Sequence, residues 1–344
     1  MITNNLEVWQ NGMVKPCCLY RGFTGNIDNY PRVIEIQRQI NDTLSEDHAP
    51  CQVCWDHERM GIPSKREMSN DWQRLVDEGA LFELPNILEI KLSNLCNLAC
   101  TTCGAESSSI WANKLKIKTP NAFTKEGAAQ RLENLIQLID QRGVNEIQLI
   151  GGEPTVNPES FALLDRLIEL GWNHRISIRL VTNGVDIERF MTKYYDKFLE
   201  FNISVSIDGK EDVFEYTRWG GKWSEVLAGL TLLGELQQKR HNKINVVITY
   251  TYSVLNLFHF SDFKQWYNTE LPKLCKTNGL HVNRADFPRA LTPKLYNMSW
   301  QYKLEPELQN AVEAFTVKDR NSRNSLYAEL VLSRDLPRDT SYKN

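Results

Sequence analysis

The sequence predicts an α/β protein: a partial (β/α)6 TIM-like barrel with a small cysteine-rich module ahead of it. Three observations predict this. From residue 86 onward, short apolar runs alternate six times with amphipathic helical stretches. Glycine-rich and polar motifs fall just past the carboxyl ends of those runs. Residues 1–85 lack the alternation and instead carry two pairs of cysteines.

The strands are read at "NILEIKLS" (86–93), "NEIQLI" (145–150), "RISIRLV" (175–181), "EFNISVSI" (200–207), "INVVITYTY" (244–252) and "LHVNRAD" (280–286). Between them, "TKEGAAQRLENLIQLIDQRG", "NPESFALLDRLIELGW", "DIERFMTKYYDKF", "WSEVLAGLTLLGELQQKR" and "FSDFKQWYNTEL" repeat apolar residues three and four apart, the helical period. Asn157 and Asp186 stand where N-caps belong, and Pro158 suits a first turn. Strand–helix units in series demand parallel pairing with right-handed crossovers. Six units are too few to close an eight-stranded barrel, so an open, partial one is expected. In such architectures the active site gathers at the carboxyl ends of the strands. The three cysteines of "CNLACTTC" follow the first strand, "GGEP" the second and "TNG" the third, while "SIDG" closes the fourth.

The expected division is therefore residues 1–85 as the cysteine module, 86–290 as the barrel and 291–344 as a C-terminal helical segment with a flexible tail. "VIEIQRQINDTL" reads as a helix between the two cysteine pairs, and "EPELQNAVEAFTV" as one in the C-terminal segment.

A formal net charge of −3 and a pI near 6.1 give no global attraction to nucleic acid or to an anionic membrane. The opening "MITNNLEVWQNG" lacks a basic-then-apolar signal pattern, and no apolar run approaches a bilayer span. A cytoplasmic location is expected. There, cysteines serve as metal ligands or catalysts more often than as disulfides.

The eight cysteines fall into groups: Cys17 and Cys18; Cys51 and Cys54; Cys96, Cys100 and Cys103; and Cys275 alone, which reads as a buried hydrophobe. Thiolates spaced three and two residues apart on a tight loop can reach three corners of a cubane iron–sulfur cluster and leave the fourth iron open. An open position is what separates catalytic metal centres from structural ones. Zinc would want a fourth ligand, yet no histidine or further cysteine lies within about thirty-five residues of the trio. Cys17, Cys18, Cys51 and Cys54 are four, enough for a closed cluster or for a four-cysteine zinc site. Neighbouring residues of extended backbone point opposite ways, so joint ligation by Cys17 and Cys18 needs a turn there.

"CNLACTTC" is a C-x3-C-x2-C motif. With "GGEP" at the end of the next strand, it resembles the signature of the radical S-adenosylmethionine (SAM) superfamily. The resemblance implies a [4Fe–4S] cluster on Cys96, Cys100 and Cys103, with SAM chelating the open iron. It further implies reductive cleavage to a 5′-deoxyadenosyl radical that abstracts hydrogen from a substrate carbon. Gly151, Gly152 and Glu153 would bind the cofactor, Glu153 by accepting from its ammonium group. Ser206 resembles the family's ligand-contacting serine and Arg218 the arginine that meets the cofactor carboxylate. Thr182 and Asn183 are further polar candidates at the mouth. Thr102 stands where many members carry an aromatic.

"PCC" and "PCQVCWDHERMGIPSKRE" set ahead of the trio resemble the twitch/SPASM-like branch, with the auxiliary-cluster module at the N-terminus as in phage-type members. That implies a second, auxiliary [4Fe–4S] cluster. Its implied partners are an electron donor such as flavodoxin or ferredoxin and, as substrate, a ribosomal peptide or an aminoacylated nucleobase in hypermodified DNA. The expected outcome is isomerisation, crosslinking or dehydrogenation at an amino-acid-like carbon. The alternative is a non-catalytic iron–sulfur or zinc scaffold for a partner protein. Trp219, Trp223, Tyr250 and Tyr252 are candidates to stack on a base, or else core residues.

Overall fold

The computed structural model describes residues 5–17, 19–43, 49–59, 64, 66–67, 86–124, 126–285 and 291. Cys18 and the "EPELQNAVEAFTV" helix lie outside the described residues.

The strands are β1 (Asn5–Val8), β2 (Met13–Lys15), β3 (Gly25–Asn26), β4 (Ile87–Lys91), β5 (Ala99–Cys100), β6 (Glu146–Ile150), β7 (Ser177–Thr182), β8 (Phe201–Ser206), β9 (Arg218–Trp219), β10 (Ile244–Tyr252) and β11 (Leu280–Arg284). Nine of them form one sheet in the order β11-β10-β8-β7-β6-β4-β1-β2-β3, and β5 pairs with β9 apart from it. From β11 to β1 every pairing is parallel; only β2 and β3 turn back. The fold is thus the α/β partial barrel expected, with all six expected strands and the helices between them in place among the described residues. The sheet continues into the cysteine-rich stretch, where β1 runs parallel to β4.

Alternation along the strands splits the sheet into two faces. Leu88, Ile90, Ile147, Leu149, Ile178, Leu180, Ile203, Val205, Val246 and Ile248 point one way and are buried in one continuous core. That core includes Leu135, Leu138 and Ile139 of the helix Ala128–Gln141, Leu163, Leu164 and Leu167 of Pro158–Glu169, and Leu230 and Leu233 of Trp223–Lys239. The opposite face is polar. Glu89, Gln148, Arg179, Asn202 and Asn245 stand in register across five strands. Gln148 Nε2 donates to Glu89 Oε2 at 2.9 Å and Asn245 Nδ2 to Asn202 Oδ1 at 3.0 Å. A face of this chemistry lines a wet lumen rather than a packed interior.

Asn157 caps its helix as expected, its Oδ1 accepting from Glu159 N at 3.1 Å, with Pro158 in the first turn. Asp186 does not cap. The helix Glu188–Tyr194 has Ile187 at its N-cap and no side-chain cap bond, while Asp186 is held at φ +59°, outside the extended conformation a cap needs. Cys275 is buried in the core. Among the described residues no helix is long and apolar enough to cross a membrane.

Candidate functional site

The loop leaving β4 carries Cys96, Cys100 and Cys103 to the carboxyl end of the sheet, and local bonds shape it. Leu95 N donates to Ser93 Oγ at 3.1 Å, and Asn94 Nδ2 to Ala105 O at 2.9 Å. Ser108 caps the helix Ser109–Leu115 and also donates from Oγ to Leu98 O at 2.8 Å, while Trp111 Nε1 donates to Cys100 O at 2.8 Å. Cys103 N donates to Cys100 O at 3.2 Å, a turn that puts both thiols on one side.

Two other segments strap this loop down. The first is "GGE". Gly152 N donates to Ser93 O at 3.0 Å and Glu153 N to Leu95 O at 2.8 Å. The approach is so close that a Cβ on Gly152 would sit 2.0 Å from Leu95 O, so the glycine is required by the loop backbone itself. The second is "RW": β9 pairs antiparallel with β5, Cys100 opposite Arg218, and Thr101 N donates to Thr217 O at 2.8 Å.

The carboxylate of Glu153 is 1% exposed and turned inward. Its Oε1 accepts from Thr155 N at 3.2 Å, Thr155 Oγ1 at 2.8 Å and Thr182 Oγ1 at 2.8 Å, and its Oε2 from Asn183 N at 2.7 Å. Burial raises its pKa, and these bonds oppose the rise. Glu153 therefore knots the ends of β6 and β7 together. Asn183 carries the connection onward: its Nδ2 donates to Asn97 Oδ1 in the cysteine loop at 2.8 Å. Asn97 was not legible as a site residue, since a lone asparagine in a loop carries no distinguishing pattern.

Arg218 is buried. Its Nη2 lies 2.9 Å from Asp208 Oδ2, and its Nη1 donates toward Cys100 Sγ at 3.8 Å. Its Nε is buried with no hydrogen-bond partner among the described residues. Burial works against the charge, yet Asp208 and the cysteines Cys100 and Cys103 outweigh it, so the guanidinium stays protonated. Asp208, from "SIDG", also accepts from Thr251 N at 2.8 Å, which ties this pair to β10. A carboxylate closing a strand ten residues before a buried arginine was the available signal for it.

Electrostatics pull the trio two ways, with Cys96 and Cys103 raised and Cys100 lowered. Burial, then the charge of Cys100, pushes Cys96 up to about 12. A hydrogen bond from Cys103, aided by Arg218 against the penalty of burial, favours negative charge on Cys100. Leu98 N lies 3.4 Å from Cys96 Sγ and donates to it. Clustered thiols with a guanidinium and an amide N–H aimed at sulfur fit an iron–sulfur cluster, whose charge such donors offset. Among the described residues no three His, Cys, Asp or Glu side chains are arranged around a single metal ion. A cubane instead takes each thiolate at a separate iron.

Ser206 ends β8, half-buried at the same mouth, and its hydroxyl has no hydrogen bond among the described residues. Of the aromatic candidates, Tyr250 and Tyr252 are fully buried, and Trp223 packs against Phe214 and Trp266. Trp219 alone of the four is open, at 41% exposure, with Lys114 Nζ 3.5 Å from its ring centroid. A groove of about 690 Å³ runs behind the loop, between Asn97, Leu98 and Gly220 and the acidic Asp186, Glu188, Glu225 and Glu235. In the N-terminal stretch, Cys17 and Cys51 pack with Tyr20 and Ile40, and Cys54 is buried. Burial, then the charges of Cys17 and Cys54, pushes Cys51 up to about 11.

The model of the radical SAM superfamily matches residues 90–260. A GTP 3′,8-cyclase of Streptomyces coelicolor is 29% identical over 153 residues, 43% of this chain and 40% of its own length. The Molybdenum cofactor biosynthesis protein 1 of Drosophila melanogaster is 27% identical over 177 residues, 51% of this chain and 29% of its own. The chain thus spans less than half the length of these curated relatives. Among solved structures, Streptococcus suis SuiB bound to precursor peptide SuiA matches with TM-score 0.45 and 15% identity, covering 81% of this chain and 60% of that one. Native anSMEcpe with bound AdoMet matches with TM-score 0.41 and 21% identity, covering 58% of this chain and 51% of that one. Residues 90–260 are a radical SAM superfamily domain, a family that implies a [4Fe–4S] cluster and SAM.

Proposed function

We propose that Cys96, Cys100 and Cys103 hold the [4Fe–4S] cluster and that Gly151, Gly152, Ser206 and Arg218 face the cofactor. When bound, cluster and SAM supply a reductively generated 5′-deoxyadenosyl radical that takes hydrogen from a substrate carbon. The observation that supports this best is the strapping of the three-thiol loop between the "GGE" strand end and the Cys100–Arg218 pairing, at the carboxyl mouth of a parallel sheet.

Within this reading Arg218 offsets thiolate charge on Cys100 and keeps its unpartnered Nε for a cofactor carboxylate. Ser206 offers a free hydroxyl to the bound molecule. Glu153, Thr182 and Asn183 act as positioning residues that fix the cysteine loop against β6 and β7. Residues 1–85 form the auxiliary module, with a second cluster on Cys17, Cys51, Cys54 and Cys18. The substrate carbon belongs to an amino-acid-like group, on a peptide or on an aminoacylated nucleobase, and a polar lumen suits either. Electrons come from a flavodoxin- or ferredoxin-type donor.

The test is anaerobic reconstitution with iron and sulfide, followed by dithionite and SAM. Release of 5′-deoxyadenosine by the native chain, and none by Cys100→Ala, supports the enzyme. No release from a well-formed cluster supports the scaffold instead.

A further inference from the structure

The first hairpin brings to the mouth of the sheet a group of side chains that the proposed radical chemistry does not use. Glu7 stands opposite Glu89 across the parallel pairing and opposite Lys15 across the antiparallel one. Glu7, Lys15, Glu89 and Lys91 therefore share the lumen face. Lys91 Nζ lies 3.2 Å from Glu7 Oε1, and Lys15 Nζ 3.9 Å from Glu7 Oε2. Both ammonium groups also sit over the ring of Trp9, at 4.0 and 4.7 Å from its centroid. The lysine side chains are mostly buried and Glu7 is almost completely so. Glu89, the next carboxylate along this face, accepts from Gln148 on its other flank.

A purely structural ion pair does not explain this group. Glu7 lies within ion-pair reach of both ammonium groups, yet at 3.9 Å Lys15 Nζ is beyond hydrogen-bond distance of it and keeps its N–H donors. Among the described residues, Glu7 Oε2 and Trp9 Nε1 are buried without a hydrogen-bond partner, an arrangement that buried polar groups ordinarily avoid. An oxyanion placed beside the two ammonium groups would take their spare N–H donors and that of the indole. The location is apt. Lys91 is the last residue of β4, just before the cysteine loop, and a Cβ on Gly151 would lie 3.5 Å from Lys91 Cα.

We infer that Lys15, Lys91 and Trp9 bind an oxyanion of the substrate, a carboxylate or a phosphate, with Glu7 holding the two ammonium groups in place. The inference rests on the radical SAM reading for the word substrate, and on the hairpin geometry for the site. It would anchor the substrate at the edge of the mouth beside β4.

The test is isothermal titration of the anaerobically loaded protein with inorganic phosphate and, separately, with N-acetylglycine as a carboxylate probe. The native chain should bind one of them, and the one bound distinguishes the two sources. Lys91→Met and Lys15→Met should each weaken that binding by about tenfold or more. Lys91→Arg should retain it. Variants are compared at equal iron content and equal far-UV circular dichroism, and Lys15→Met serves if Lys91→Met does not fold. The inference is overturned if neither probe binds the native chain at high millimolar concentration, or if the lysine variants bind as the native chain does. Release of 5′-deoxyadenosine, measured on the same preparations without substrate, reports on the enzyme reading independently of probe binding.

Discussion

Cys100 and Arg218 are partners in a two-residue β-bridge, and their side chains also meet, with Arg218 Nη1 3.8 Å from Cys100 Sγ and Arg218 Nη2 2.9 Å from Asp208 Oδ2. One residue of the cysteine loop is thus joined, through a single arginine, to a carboxylate at the end of β8. The ion pair is almost fully buried, and removing one partner leaves the other charge uncompensated. Asp208→Asn should therefore cost about 3–5 kcal/mol in denaturant unfolding. The double variant Asp208→Asn/Arg218→Met should cost less than the sum of the two single changes. Additive losses would show that the two side chains are not coupled.

Gly152 is set by sterics. Alanine there would place Cβ 2.0 Å from Leu95 O, so the "GGE" strand and the cysteine loop must part. Gly152→Ala should destabilise the protein by about 2–4 kcal/mol and lower iron incorporation. Gly171→Asn is the control: φ there is +71°, nothing lies within 4 Å, and asparagine tolerates that conformation. Full iron loading of Gly152→Ala would contradict the strapping role.

Glu153 and Ser206 share a mouth but should behave differently. Glu153→Gln replaces one acceptor oxygen of a four-bond knot with a donor, and should cost about 1–3 kcal/mol in unfolding free energy. Ser206→Ala removes a hydroxyl with no internal partner, so its melting curve should match the native one within about 0.5 kcal/mol. Its loss should appear in SAM affinity instead. A Ser206→Ala variant with native SAM affinity would remove Ser206 from the site.

The strand–helix series was readable because each barrel strand alternates apolar and polar residues and each intervening helix repeats at three and four. Those patterns report burial directly. What escaped were contacts whose cause is distant in sequence. Asn5–Val8 is four residues long, and besides its hairpin partner β2 it pairs in parallel with β4, some eighty residues later. The helix Glu211–Thr217 and the bridge to β5 follow from the same kind of closure. Glu153 was legible as important, and its type suggested a ligand contact. Its four inward bonds come from Thr155, Thr182 and Asn183, a convergence that no local spacing announces. Asp186 looked like a cap by type and position, but its left-handed backbone removes it from that role.

His259 provides a pH test away from the thiols. Its Nε2 accepts from Lys210 N at 3.1 Å, with Asp262 on its other side. Burial, aided by Lys210 and opposed by Asp262 and Glu211, lowers its pKa below the usual value. The unfolded chain therefore takes up this proton first as pH falls. The stability contribution is intact above about pH 6.5 and declines below it, down to the depressed folded value. Denaturant titrations at stepped pH should show that decline, and His259→Asn should flatten it. An unchanged slope in the variant would assign the effect to other groups.

The most direct measurement is Mössbauer spectroscopy of the anaerobically loaded, iron-57-labelled protein with and without SAM. The account predicts cubane clusters in which one iron of the central site changes its signal when SAM is added, with that response absent in Cys100→Ala. A lone, fully ligated ion on Cys96, Cys100 and Cys103, indifferent to SAM, would contradict it.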